Sequence, residues 1–190
     1  MKDIDKYLEN GLSLSTRTIA FCGEVTQDSA EKFLRNLHIL DNYQEGTITV
    51  TLTTEGGDVD AGLKIIDAIQ LSKNYIKCIC YGGVESMGTV ILQACDIRLM
   101  TPNSFLMVHE GEGGSIGKSK DREQWNRLLD HQEDVCLDMY LDKINDCQVN
   151  KKKKKYTKKQ LKDLLLFDKI YLPKEAVSIG LADEVLDTAY

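Results

Sequence analysis

Several residues in this chain have the types and settings that acyl-transfer chemistry needs. Gly82-Gly83-Val84-Glu85-Ser86-Met87-Gly88 lies between an apolar strand-like run and an apolar helix-like run. A serine at such a corner presents its hydroxyl at a helix N-terminus. The helix dipole there favours developing negative charge by about 0.3–1 kcal/mol. The N–H of Met87, just after the serine, and the N–H of Gly57 are suited to holding a tetrahedral oxyanion. Val84 stands where the G-x-S-x-G elbow carries its first glycine, so this is not that motif. An ordinary serine helix cap is the competing reading.

The pair Gly56-Gly57 follows a second strand-like run. Paired glycines let the backbone approach a ligand closely and turn its N–H groups outward; alone, they also read as a tight turn. His109 ends the apolar run Phe105–Val108, just before the glycine-rich Gly111–Gly117 stretch, where a strand-end imidazole suits a general base. His38 and His131 fall in helical patterns and read as ordinary helix residues. The orienting acid is either Asp168, next to apolar Ile170-Tyr171-Leu172, or Asp183, in a polar turn that reads as solvated. A carboxylate beside apolar groups is costly unless paired, which favours Asp168.

The elements that must position these groups alternate along the chain. Asp3 caps a short amphipathic helix with Ile4, Tyr7 and Leu8. Thr18–Cys22, Thr47–Leu52, Ile76–Tyr81, Ile97–Met100 and Phe105–Val108 read as strands. Helical spacing marks Ser29–Leu40, a segment carrying Ala61, Leu63, Ile65, Ile66, Ala68 and Ile69, and Met87–Ala94. The pattern from Lys118 to Ile144, with Trp125, Leu128, Leu129, Val135, Met139 and Tyr140, is long enough to project; two helices with a break are the alternative. Thr157 and Gln160 form a capping box for a helix running through Phe167. Pro173 opens a last helix that Gly180 ends. Strands and helices in this order predict an α/β fold with parallel pairing, and ligands collect at strand-to-helix junctions of such folds.

Composition narrows the function classes. With 190 residues, 42% apolar, 28% charged and a net charge of −6, the chain reads as globular and as a poor nucleic-acid binder. No apolar run is long enough to span a membrane, and the acid-bearing start MKDIDKYLENG lacks a signal-type apolar stretch. Cys22, Cys78, Cys80, Cys95, Cys136 and Cys147 sit mostly in apolar runs. The Cys78-Ile79-Cys80 spacing is too tight for a zinc knuckle, so no metal is expected. Free thiols fit a reducing, cytoplasmic compartment.

Taken together and in order, Phe21-Cys22-Gly23-Glu24-Val25-Thr26, Gly56-Gly57-Asp58-Val59-Asp60-Ala61-Gly62, Glu85-Ser86-Met87-Gly88, Pro102-Asn103-Ser104-Phe105-Leu106-Met107-Val108-His109, Phe167-Asp168 and Glu175-Ala176-Val177 with Gly180-Leu181-Ala182-Asp183-Glu184 resemble the ClpP-like serine peptidases. These are the proteolytic subunits of ATP-dependent Clp proteases, of the ClpP/crotonase fold. The resemblance runs from about Thr18 to Leu186. It implies repeated β-β-α units and one peptidase domain over residues 1–190, with about 118–156 as a projecting handle containing a Lys-rich loop. It also implies a Ser86–His109–Asp168 triad, oxyanion donors at Gly57 and Met87, no metal or organic cofactor, protein or peptide substrates, and homo-oligomers of stacked rings. A Clp-type ATPase is the candidate partner, although the family's docking loops would precede residue 1. Neither nucleic acid nor membrane is implied.

Three positions and one segment depart from the family pattern. Glu55 replaces the usual proline before the glycines, Glu110 the usual glutamine after the histidine, and Phe167 the usual arginine before the triad aspartate. A surplus centred on Asn150–Lys155 reads as a solvated lysine loop. Two other functions compete with a peptidase: a non-catalytic subunit of a mixed ring, and an acyl-CoA enzyme of the same superfold. The filled triad positions weigh against the first, and the lack of an adenine-pocket signature against the second.

Overall fold

The computed structural model describes residues 9–109, 111, 118–147, 155–165 and 168–186. The strands follow the period-2 pattern. Ile19 and Phe21 of β2 (Thr18–Cys22), Ile48, Val50 and Leu52 of β3 (Ile48–Thr54), and Ile76, Cys78 and Cys80 of β4 (Ile76–Glu85) all point to one buried face. Against it pack α1 (Gln27–Tyr43) through Ala30, Phe33, Leu37 and Leu40, α2 (Val59–Leu71) through Ala61, Ile65, Ile66 and Ile69, and α3 (Met87–Ala94). Phe21 meets Phe33 edge-on at 6.2 Å. The alternate residues, among them Thr49, Thr51, Thr53, Lys77 and Ile79, are half-buried. This one-sided burial is why the strands alternate, whereas a parallel sheet covered on both faces reads as a continuous apolar run.

The remaining elements are β1 (Leu12–Ser13), β5 (Ile97–Met100), β6 (Phe105–Val108), α4 (Ser119–Asp146), α5 (Lys158–Leu165), β7 (Lys169–Tyr171), α6 (Pro173–Ile179) and β8 (Glu184–Val185). The main sheet runs β1-β2-β3-β4-β5-β8, while β6 pairs with the far end of β4 and carries β7. Pairing is parallel throughout except at β1–β2 and β6–β7. The mixed α/β class expected from the sequence is therefore what the chain adopts.

Several boundaries differ from the sequence reading, each for a physical reason. The fourth strand does not stop at Tyr81. Gly82, at φ +58°, bends it, and Gly83, Val84 and Glu85 continue as strand against Phe105, Leu106 and Met107. The strands β1, β7 and β8 are too short to show any period, so the sequence does not announce them. The long helix is unbroken over 28 residues, about 42 Å at 1.5 Å per residue. Its first turns are exposed, Trp125 at 58%, whereas Leu137, Tyr140 and Ile144 seat its second half on the core. At α5 the expected capping box is present: the Thr157 N–H donates to Gln160 Oε1 at 3.0 Å and the Gln160 N–H to Thr157 Oγ1 at 3.3 Å. The N-terminal helix expected around Ile4, Tyr7 and Leu8, the departures Glu110 and Phe167, and Lys151–Lys154 lie outside the described residues.

Asp183 has a partner that the sequence does not announce. It is exposed at a bend, as expected, but is also half of an ion pair with Arg98, whose side chain is 2% exposed. The guanidinium donates to both carboxylate oxygens, at 2.6 and 3.0 Å, and to the Gly180 carbonyl at 3.0 Å; its remaining contact is Gln93 Oε1. This pair fastens β8 and the end of α6 to the core. Removing the partner of a buried charge costs about 3–5 kcal/mol. Asp183→Ala is therefore expected to lower unfolding free energy by that amount in urea titration, whereas Asp168→Ala, at a side chain 81% exposed, is expected to change it by no more than about 0.5 kcal/mol.

Candidate active site

Strand register brings the sequence-predicted residues together. β4 and β6 run parallel with Glu85 opposite Met107, and the Ser86 N–H donates to the Met107 carbonyl at 2.8 Å. Ser86 thus leaves the carboxyl end of one strand beside His109, which leaves the carboxyl end of its neighbour. β7 returns antiparallel to β6 with Val108 opposite Lys169. One step further along the same register sets Asp168 across from His109. Three residues distant in sequence meet through the pairing of three short strand ends.

Ser86 adopts φ +51°, ψ −124°, a conformation L-residues rarely take. Such backbone costs on the order of 1–3 kcal/mol and persists only where its surroundings hold it. It is held here by the bond to Met107 and by the Thr89 N–H and Oγ1, which donate to the Ser86 carbonyl at 2.9 and 2.7 Å. The helix-cap alternative for Ser86 fails on geometry. The residue occupies the N-cap position of α3, yet its side chain caps nothing. Its Oγ lies 2.7 Å from His109 Nε2 instead.

The imidazole is partly buried, its side chain 24% exposed. Its Nδ1 faces Asp168 Oδ1 at 3.8 Å, close enough for charge attraction but longer than a hydrogen bond. A carboxylate on that side favours the tautomer with the proton on Nδ1, leaving Nε2 to accept from Ser86. Asp183, committed to Arg98, is not part of this constellation. His38 lies on α1 against Asn42, and His131 is exposed on α4.

The glycine pair separates into two tasks. Gly56, at φ +90°, lies against the serine corner; a Cβ there would sit 2.6 Å from Ser86 Cβ and 3.0 Å from the Met87 nitrogen. Gly57, at φ +141°, bridges to Val25, whose N–H donates to the Gly56 carbonyl while Asp58 donates back to the Val25 carbonyl. Neither the Gly57 nor the Met87 N–H donates to another backbone group among the described residues outside regular helix and strand bonding.

A cavity of about 890 Å³ opens beside Ser86 and His109, with Val59, Val90, Cys136, Leu137 and Tyr140 among its walls. Burial pushes the Cys136 thiol up to about 11, which holds it as the neutral thiol near pH 7. No cluster of three or more His, Cys, Asp or Glu side chains suited to a metal occurs among the described residues. The sequence reading missed Thr89, Gln93 and Tyr140. The signal was there: Thr89 and Gln93 stand four apart in an otherwise apolar helix, and buried polar groups need partners.

The chain matches the Clp protease family over residues 5–189. An ATP-dependent Clp protease proteolytic subunit from Deinococcus radiodurans is 32% identical over 177 residues, which is 92% of this chain and 82% of that one. The ATP-dependent Clp protease proteolytic subunit 2 of Treponema pallidum is 32% identical over 146 residues, 70% of this chain and 73% of its own. A solved mutant ClpP1 from Listeria monocytogenes shares the fold, with a TM-score of 0.79 over 93% of this chain and 94% of that chain, at 23% identity. With its fold, its ordered motifs and these relatives in agreement, this chain belongs to the Clp protease family, whose activity is peptide-bond hydrolysis.

Proposed function

We propose that the protein is a serine endopeptidase that cleaves unfolded proteins or short peptides inside a chamber formed by stacked rings of its own copies. The observation that carries this reading is the 2.7 Å approach of Ser86 Oγ to His109 Nε2 at a strained strand-to-helix corner. His109 takes the Ser86 proton as Oγ attacks the scissile carbonyl. The resulting oxyanion is held by the N–H groups of Gly57 and Met87, each worth about 2.7–4 kcal/mol in the transition state by analogy with other oxyanion holes. His109 then passes the proton to the leaving amine. Water, deprotonated by the same imidazole, releases the acyl group and restores Ser86.

Asp168 orients the imidazole and balances its positive charge. Catalytic hydrogen bonds are often long before substrate arrives, so its carboxylate closes by about 1 Å on His109 when the site is occupied. The exposed first turns of α4, with Trp125, are the surface through which rings would meet. A Clp-type ATPase would supply unfolded chains. All six cysteines are unpaired, as expected in the cytoplasm, and no helix among the described residues is long and apolar enough to cross a membrane.

A fluorophosphonate probe is expected to modify the wild type once per chain, at Ser86, and to leave Ser86→Ala unmodified. Undiminished labelling of that variant would move the nucleophile elsewhere. Because Asp168 is largely exposed, Asp168→Asn is expected to lower kcat on a fluorogenic peptide by on the order of 10²-fold, less than the roughly 10⁴-fold seen where the acid is buried. Gly56→Ala forces a Cβ into Ser86. It is expected to cost about 1–3 kcal/mol in urea titration and to reduce labelling at least tenfold; an alanine variant with wild-type labelling would show that the corner tolerates displacement.

A further inference from the structure

We propose that Tyr140 and Thr89 act as positioning residues, a hydroxyl relay from the long helix α4 that aims the Met87 N–H at the oxyanion. This rests on reading Ser86 as the nucleophile. The two hydroxyls are bonded to one another in the core, Tyr140 being 5% exposed and Thr89 fully buried. The direction of the relay follows from proton counting. The Ser86 carbonyl only accepts, so the single proton of Thr89 Oγ1 is spent on it, at 2.7 Å. Tyr140 must then donate its own proton to Thr89 Oγ1.

The target of the relay gives it meaning. The Ser86 carbonyl and the Met87 N–H belong to one planar peptide group, with the oxygen and the hydrogen on opposite sides. Fixing the oxygen therefore fixes the direction of the hydrogen. Ser86 lies at φ +51°, outside the helical region, so the plane is held by two donors to its oxygen, the Thr89 N–H at 2.9 Å and the shorter Thr89 Oγ1 bond that the relay directs. Gln93 Nε2 donates to the Thr89 carbonyl at 3.1 Å and to the Leu181 carbonyl at 3.2 Å, which holds the first turn of α3 in place behind the relay. Burial raises the Tyr140 phenol well above its usual range, so it remains a donor. Tyr140 also borders the cavity beside Ser86, so the seating of α4 and the aim of the oxyanion donor are set by the same side chain.

The test compares Tyr140→Phe, Thr89→Val, Thr89→Ser and the Tyr140→Phe/Thr89→Val double variant on the full chain. Hydrolysis of a fluorogenic peptide is measured per active site, the sites being counted by complete fluorophosphonate labelling, alongside thermal unfolding. Tyr140→Phe is expected to lower kcat about tenfold with KM unchanged and Tm within a few degrees of wild type. Thr89→Val is expected to lower kcat further, Thr89→Ser to keep it within about twofold of wild type, and the double variant to match Thr89→Val because the hydroxyls act as one unit. The relay is overturned if Tyr140→Phe keeps its per-site kcat. It is equally overturned if the loss appears only as fewer labelled sites and a lower Tm, which marks a structural role, or if Thr89→Ser fails to retain activity. A wild type that the probe never labels overturns the serine-peptidase reading itself, and the relay's role with it; labelling of the wild type with an unaffected Tyr140→Phe overturns the relay alone.

Discussion

The arrangement of this molecule depends on one strand changing partners. Up to Cys80, β4 pairs with β3 and β5; beyond the bend at Gly82 it keeps β3, with Thr54 opposite Val84, and exchanges β5 for β6. Parallel pairing sends β4 and β6 out of the sheet in the same direction, so the residues that follow each strand emerge side by side. The antiparallel return of β7 adds a third residue to the same end. Were β4 to stop at Tyr81, as its apolar run suggests, Ser86 would have no fixed relation to His109. The bend is what turns three separated motifs into one constellation.

Around that constellation the fold accepts local cost. Ser86 is held in a strained backbone, Gly56 and Gly57 take positive φ so that the chain can lie against it, and Thr89, Gln93, Arg98 and Tyr140 place polar groups in an apolar interior. These costs are linked. The hydrogen bonds that satisfy Thr89 and Gln93 run on one side to the Ser86 carbonyl and on the other to Arg98 and Asp183. A single buried polar network therefore joins the Ser86 backbone to the ion pair that fastens the C-terminal segment. Rigidity at the Ser86 corner and attachment of β8 share the same residues.

Much of this was legible in the sequence. The helix Met87–Ala94, the strands Ile97–Met100 and Phe105–Val108, and the cap residues Pro173 and Gly180 declare themselves through periodicity and turn chemistry. So did Ser86 and His109, because each stands where an apolar run meets glycines. What stayed hidden depends on partners distant along the chain. Asp183 sits in a polar stretch and gives no sign of the buried arginine eighty-five residues earlier that pairs with it. Apolar neighbours single out Asp168, yet its carboxylate is exposed, and what brings it to His109 is the register of a three-residue strand too short to read. The tie between Thr89 and Tyr140 spans two helices and has no local signature.

The central claim is that His109 activates Ser86 to carry the acyl group. Intact-protein mass spectrometry during turnover of a slowly deacylating ester tests it most directly. The account predicts one acyl group per chain, mapping by proteolytic digestion to the peptide containing Ser86 and absent from His109→Ala under the same conditions. An adduct on Cys136 or Cys22, or acylation of Ser86 that proceeds undiminished without His109, would contradict it.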